Sequence, residues 1–352
     1  MKSFLIERCA RRGYSRGFVA AVLASALSFA ATATDIEDAM HQDNYQDGRY
    51  DNPWAPFSLK YGALLKELFK RNRFRGQDFG EVPREDDPLA AYQALNADSV
   101  SWIGHATMMI RDGQDVVLTD PHLSDWALTA KRRTAPALRA AQIPPLHFAV
   151  VSHNHYDHLD EETVMALPAE TLWLVPMGLA EWFRERGRDN VVELNWWQSH
   201  RVGGWTAHCV PVQHWSRRIG QSTNSTLWCG WMLESPTRRY FFAGDTGYFK
   251  GFEQIAAHFG PIDVAMLPIG AYYPESFLAY QHMSPPEALQ AFQDLRAQYM
   301  LPMHWGSFKL TREPIAEPPF SLRRALAHSG VDEARVRPLA IGETWAVPSA
   351  SD

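Results

Sequence analysis

Between residues 152 and 158 the chain reads Ser152-His153-Asn154-His155-Tyr156-Asp157-His158, directly after the apolar run Phe148 to Val151. This heptapeptide limits what the chain can fold into. So many titratable groups cannot be desolvated together at the end of a buried strand unless something shared compensates them. In an extended segment leaving a strand, His153 and His155 project to the same side, so both imidazoles can reach one ion. Asp157 and His158 are then placed to serve a second. Imidazole and carboxylate donors suit zinc, and they suit manganese or iron as well.

A two-metal centre needs further donors, and His214, Asp245 and His304 are candidates. His214 follows Val210-Pro211-Val212, Asp245 follows the aromatic run Tyr240 to Ala243 through Gly244, and His304 follows Leu301-Pro302-Met303. Each emerges where a strand becomes a loop, the place from which ligands converge on one end of a layered fold. Trp102 to Ile110, Asp112-Gly113 and Val116 to Leu118 read as a hairpin with its turn at the Asp-Gly pair. Further strands are expected at 148–151, 172–175, 191–194, 206–212, 227–233, 240–243, 264–267 and 299–302. Helices are expected over 179–186, from Ser284-Pro285-Pro286-Glu287 (a capping box with proline in the first turn) and from near Ser321. Many strands with interspersed helices predict an α/β chain of two packed mixed sheets with helices outside. With 46% apolar residues, including 13 Trp and 18 Phe among 352, the chain has ample material for that core.

The N-terminus reads as an export signal. Lys2, Arg8, Arg11, Arg12 and Arg16 precede an uncharged run from Phe18 to Ala31, too short for a membrane span, and Ala31-Thr32-Ala33 offers a cleavage site. A periplasmic destination is therefore expected, with residues 1–33 as signal, 34–87 as an extension and 88–352 as the catalytic domain. An uncleaved anchor is the competing reading. Losing the signal removes five basic residues and Glu7, taking the formal charge from −6 to −10 and arguing against a nucleic-acid partner. Cys209 and Cys229 remain, either as a pair or as two buried thiols. In the extension, Tyr61, Leu64, Leu65, Leu68 and Phe69 fall at helical spacing beside Lys60, Lys66, Lys70, Arg71, Arg73 and Arg75. That segment suits either a membrane surface or a helix packed on the domain with a solvated basic side.

The His-x-His-x-Asp-His loop with a later His, a Gly-Asp-Thr turn and a final His resembles the metallo-β-lactamase superfamily. Asn52-Pro53-Trp54, Ile103-Gly104-His105-Ala106-Thr107, Leu118-Thr119-Asp120-Pro121, Gln213-His214-Trp215, Gly244-Asp245-Thr246-Gly247-Tyr248, Tyr280-Gln281-His282 and Met303-His304-Trp305-Gly306 are similar to N-acylphosphatidylethanolamine-hydrolysing phospholipases D. The resemblance implies a four-layer αβ/βα sandwich. It also implies one zinc on His153, His155 and His214, a second on Asp157, His158 and His304, and Asp245 bridging them. Asp120 would orient the ligand loop, unless it is only a turn residue before Pro121. Catalysis would fall to Asp157, Asp245 and His282, and substrate contact to Tyr280, Gln281 and His282. A helix-start role before the Ser284 cap competes for His282, and His105 reads as structural.

Two ions about 3.5 to 4 Å apart can share a water and bring its pKa near neutrality, so no Ser or Cys nucleophile is required. The resemblance implies cleavage of an N-acyl glycerophospholipid to an N-acylethanolamine and a phosphatidic acid, with a phospholipid or membrane surface as partner and a homodimer as a further expectation. A lactonase or soluble phosphodiesterase using the same metals stays open, as does a metal-binding envelope protein without turnover.

Overall fold

The computed structural model describes residues 33–57 and 70–348, so residues 1–32 of the expected export segment and the amphipathic stretch Tyr61 to Phe69 lie outside the described residues. A seven-stranded sheet runs, edge to edge, Val191–Leu194, Trp173–Pro176, Phe148–Val150, Asp115–Thr119, Thr107–Asp112, Ser99–Gly104 and Thr344–Ala346. Its Val191 half is parallel and its Thr344 half antiparallel. A six-stranded sheet runs Ser199–Val202, Trp205–Val210, Gly230–Glu234, Arg239–Phe242, Val264–Pro268 and Tyr299–Met303, antiparallel up to Arg239–Phe242 and parallel beyond it.

The strands are nearly continuous apolar runs because both faces of each sheet are covered. Successive residues take opposite faces. Met108, Ile110, Val117, Phe148 and Val150 point between the sheets, where they meet Trp205, Trp231, Tyr240 and Phe242. Met109, Val116, Leu118, Ala149 and Val151 point outward onto Val164, Leu167, Leu179 and Phe183, from the helices Glu161–Ala166 and Ala180–Arg184 and the turns beside them. Phe252 and Ile255, Leu289 and Phe292, and Leu322 bring the helices Gly251–Phe259, Pro285–Asp294 and Pro318–Leu326 onto the other sheet. The order is helix, sheet, sheet, helix. Trp231 between the sheets is fully buried, and cutting such a ring back to alanine costs about 3–5 kcal/mol.

The capping box at Ser284 forms as expected, with both Ser284 N and Oγ donating to Glu287 Oε2 at 2.8 Å. The expected strand from Trp102 to Ile110 does not form as one piece. The chain turns between Ser99–Gly104 and Thr107–Asp112, because the strand ends at Gly104 with φ of 130° and His105 follows at 55°, in the left-handed region. Two hairpins replace the single one. Strands Ser199–Val202 and Thr344–Ala346 lie at sheet edges, where half-exposed sequence lacks a strong apolar pattern. Cys209 and Cys229 are separate buried thiols.

The described parts of the extension are packed onto this frame. Ile36, Met40 and Tyr50 join the main core, and Asn44 Nδ2 donates to Asn195 Oδ1 at 2.8 Å. Arg73 lies 4.4 Å above the Tyr273 ring and pairs with Glu275 at 3.0 Å, so its charge is already engaged. Among the described residues no helix is long and apolar enough to cross a membrane.

Candidate metal centre

His105, Asp120, His153, His214, Asp245 and His304 all lie just beyond the C-terminal ends of strands, at one edge of the sandwich. Several of these exits turn sharply. Positive φ at His105 (55°), Asp120 (33°), Gly244 (58°) and His304 (63°) bends the chain so that the side chains face inward. At Gly244 a Cβ would sit 2.5 Å from the Ser152 Cβ, so only glycine lets the Asp245 turn approach the histidine loop.

The expected ligands come together in two groups. His153, His155, His214 and Asp245 offer donor atoms all within 4.8 Å of one another, as do His105, Asp157, His158 and His304. Asp245 spans both. Its Oδ2 lies 3.1 Å from His158 Nε2 and 3.9 Å from both His153 Nε2 and His214 Nε2, while its Oδ1 lies 3.1 Å from His304 Nε2. Nitrogens bound to zinc at about 2.0–2.1 Å in tetrahedral geometry sit roughly 3.3 Å apart, and the separations here bracket that value.

Outer hydrogen bonds aim the lone pairs inward. His214 Nδ1 donates to the Gln281 carbonyl at 2.9 Å, and His158 Nδ1 to Asp120 Oδ2 at 2.6 Å. Ser152 Oγ donates to Asp120 Oδ2 (2.6 Å), which leaves it to accept from His153 Nδ1 (2.9 Å). With those nitrogens protonated, each Nε2 carries a lone pair toward the centre. Yet His153 Nε2 faces His155 Nδ1 at 2.8 Å, and His158 Nε2 faces His304 Nε2 at 3.1 Å. Lone pairs converging at such distances repel unless a cation or a proton lies between them, so the donor set fits metal ions.

The charges agree with that reading. Burial drives His155 down to about 4 and His153 and His214 well below their ordinary value, keeping them neutral, the form that binds metal. Burial also opposes the charge on His158, but Asp245, Asp157 and Asp120 carry that imidazole well above its ordinary value. Asp245 and Asp157 lift His304 to about 9 against the same opposition. Burial would raise Asp157 and Asp245, but His158 and the neighbouring histidines hold both carboxylates ionised. The site thus demands positive charge, which protons meet here and divalent ions can meet instead.

Asp120 is fully buried and accepts from Ser152 N, Ser152 Oγ and His158 Nδ1, each at 2.6 Å, and so ties the start of the histidine loop to His158. His282 stands beside the ligands, its Nδ1 3.7 Å from Asp245 Oδ2 and its side chain 12% exposed. Burial lowers it to about 4. The other two residues expected to contact substrate also make structural bonds. Gln281 serves His214 through its backbone carbonyl, and the Tyr280 hydroxyl accepts from Asn52 and donates to Ala55 O, both at 2.6 Å.

Several supports surround the ligands, among them His105, which the sequence reads as structural without naming its partner. His105 Nε2 bonds Asp157 Oδ2 at 3.0 Å, holding a ligand from behind. Arg218 Nη1 donates to the carbonyls of Asn154 and Leu159 and its guanidinium covers the Tyr156 ring at 4.0 Å, pinning the histidine loop from outside. Asn52 reaches the centre from the extension. The Gly-His-Ala-Thr and Asn-Pro-Trp motifs marked two of these regions without saying what they touch.

A family profile for a beta-lactamase superfamily domain matches residues 116–305, which include every expected ligand. An uncharacterized protein of Mycobacterium tuberculosis is 37% identical over 313 residues, 82% of this chain and 81% of its own. The N-acyl-phosphatidylethanolamine-hydrolyzing phospholipase D 1 of Caenorhabditis elegans is 34% identical over 265 residues, 70% of this chain and 74% of its own. Among solved structures, an isothiocyanate hydrolase from Delia radicum gut bacteria superposes with a TM-score of 0.58 at 21% identity, over 70% of this chain and 98% of that one, a likeness of fold.

Proposed function

The chain belongs to the metallo-β-lactamase superfamily and is a metal-dependent hydrolase, and from that premise we propose that it cleaves the phosphodiester of an N-acylated glycerophospholipid on its headgroup side. The observation that carries the reading is the pair of donor groups sharing Asp245 with a neutral, partly exposed His282 beside them. His153, His155 and His214 would hold one ion, Asp157, His158 and His304 the other, with zinc first among the candidates and manganese or iron suited to the same donors. Divalent ions bound there supply an activated water and neutralise charge on phosphoryl oxygens.

The chain's own groups do the rest. Asp120, Ser152 and the Gln281 carbonyl fix the orientation of ligand rings, and His105 that of the Asp157 carboxylate, so the donors are preorganised. His282, 3.7 Å from Asp245 and partly exposed, would touch the substrate, and as a neutral imidazole it can donate a hydrogen bond to a phosphoryl oxygen or the departing alkoxide. The Caenorhabditis elegans relative supports the lipid substrate, because its likeness runs over 70% of this chain and 74% of its own. An exported enzyme meeting this lipid at a membrane surface completes the proposal.

Purified protein with two equivalents of zinc, offered N-acylphosphatidylethanolamine in mixed micelles, should release an N-acylethanolamine and a phosphatidic acid in equal amounts. Zinc-loaded protein that opens a lactone while leaving the phospholipid intact would overturn the substrate assignment. A purified chain that retains no metal would overturn the centre itself.

A further inference from the structure

We propose that Asn52 is a positioning residue for the metal centre, buckling residues 44–57 into the two loops that carry His214 and His282. It lies in none of the strands that supply ligands, and the profile match at residues 116–305 begins well after it. Its side chain is completely buried. The carboxamide Nδ2 donates to the His214 carbonyl at 2.9 Å and to the Tyr280 hydroxyl at 2.6 Å, while Oδ1 accepts from Trp228 Nε1 at 3.1 Å.

These bonds fix the spacing of two loops. The His214 imidazole is oriented by the carbonyl of Gln281, the residue after Tyr280. Asn52 therefore grips the backbone of the ligand from one side and the neighbour of its orienting carbonyl from the other. Trp54 repeats the link, since its Nε1 donates to Gln213 Oε1 at 3.1 Å and Gln213 Nε2 donates to the Tyr280 carbonyl at 2.9 Å. Phe57 then stacks on Trp215 at 4.9 Å, and Trp215 meets the His155 ring edge-on at 4.8 Å. The segment so touches the supports of both His214 and His155.

Only a carboxamide of this length provides two donors and an acceptor in one plane. Asn52→Asp keeps the size and the acceptor for Trp228 and removes both donors. This role rests on the metal-centre reading, and a test with cobalt(II) separates the two. In the full chain loaded with cobalt, chelator competition and the visible d–d bands report each ion directly.

Asn52→Asp should weaken one cobalt, the one on His153, His155 and His214, by roughly 10- to 100-fold and shift its bands, leaving the second ion nearly unchanged. Trp54→Phe, which removes one bond of the buckle and keeps the ring, should give a smaller loss of a few-fold at the same ion. Asn44→Ala loosens the same segment away from the centre and should leave both ions as in the parent. Variants at Asn52 and Trp54 that bind both ions within twofold of the parent, with superimposable spectra, would overturn the assignment. So would an equal loss in Asn44→Ala, which would reduce the effect to general packing. A failure of Asn52→Asp to fold together with parental binding by Trp54→Phe would also overturn it. A parent protein that takes up no cobalt would instead remove the metal centre on which the role depends.

Discussion

Around His153, His155 and His214 the donors are imidazoles kept neutral by burial and oriented by a hydroxyl and a carbonyl. Around His158 and His304 they sit among Asp120, Asp157 and Asp245 and hold positive charge in the metal-free protein. One group is preorganised to accept a cation without rearranging charge. The other must exchange protons for it. Asp245 sits closer to the charged group, 3.1 Å against 3.9 Å, so the bridging carboxylate belongs electrostatically to that side while remaining within reach of the other.

The comparison is broken most severely at its shared member. Asp245→Ala should abolish turnover, about 10⁴-fold as for a residue acting within a unit, and weaken both ions while the circular dichroism stays native. A variant that loses one ion and keeps the other at parental affinity would show that the carboxylate serves a single group. Next comes Asp120→Asn, which replaces one acceptor face with a donor against His158 Nδ1. Metal affinity on the Asp157, His158 and His304 side should fall roughly 10- to 100-fold, and equal loss on both sides in a metal titration would erase the distinction.

A subtler effect sharpens it. Without metal, neighbouring carboxylates carry His158 well above its ordinary value and His304 to about 9, so on this side metal entry competes with protons, whereas the imidazoles driven down by burial have few to give. Calorimetry in buffers of different ionisation enthalpy should show proton release for one ion and little for the other. The apparent affinity of the releasing ion should rise with pH up to about 9. Equal release by both would refute the asymmetry. The smallest expected change is at Gln281→Ala, since His214 uses only the backbone carbonyl there. Metal affinity should stay within about twofold, and a raised KM with kcat unchanged would mark the side chain as a substrate contact.

What the sequence revealed followed from range. The ligand loop was legible because its groups are adjacent, and the Ser284 helix because a capping box is a local signal. The helix Gly251–Phe259, whose Lys250 cap makes no side-chain bond, carried no such mark. His214, Asp245 and His304 were legible as polar residues at the ends of apolar runs. The partnership of His105 with Asp157 crosses 52 positions and that of Asn52 with His214 crosses 162, distances over which no periodicity or spacing speaks. Gln281 acts through an atom every residue has, so its identity could not disclose its task. The break at Gly104 and His105 was hidden by flanking apolar residues that look like one strand.

Asn52, early in the chain, and His304, late in it, serve the same edge of the sandwich, with Asn52 bonded to Tyr280 across 228 positions. During synthesis the histidine loop emerges long before His304 exists, so no nascent fragment holds the whole set of donors. The group of Asp157, His158 and His304 therefore closes only when the chain is nearly finished, whereas His153, His155, His214 and Asp245 are all made earlier.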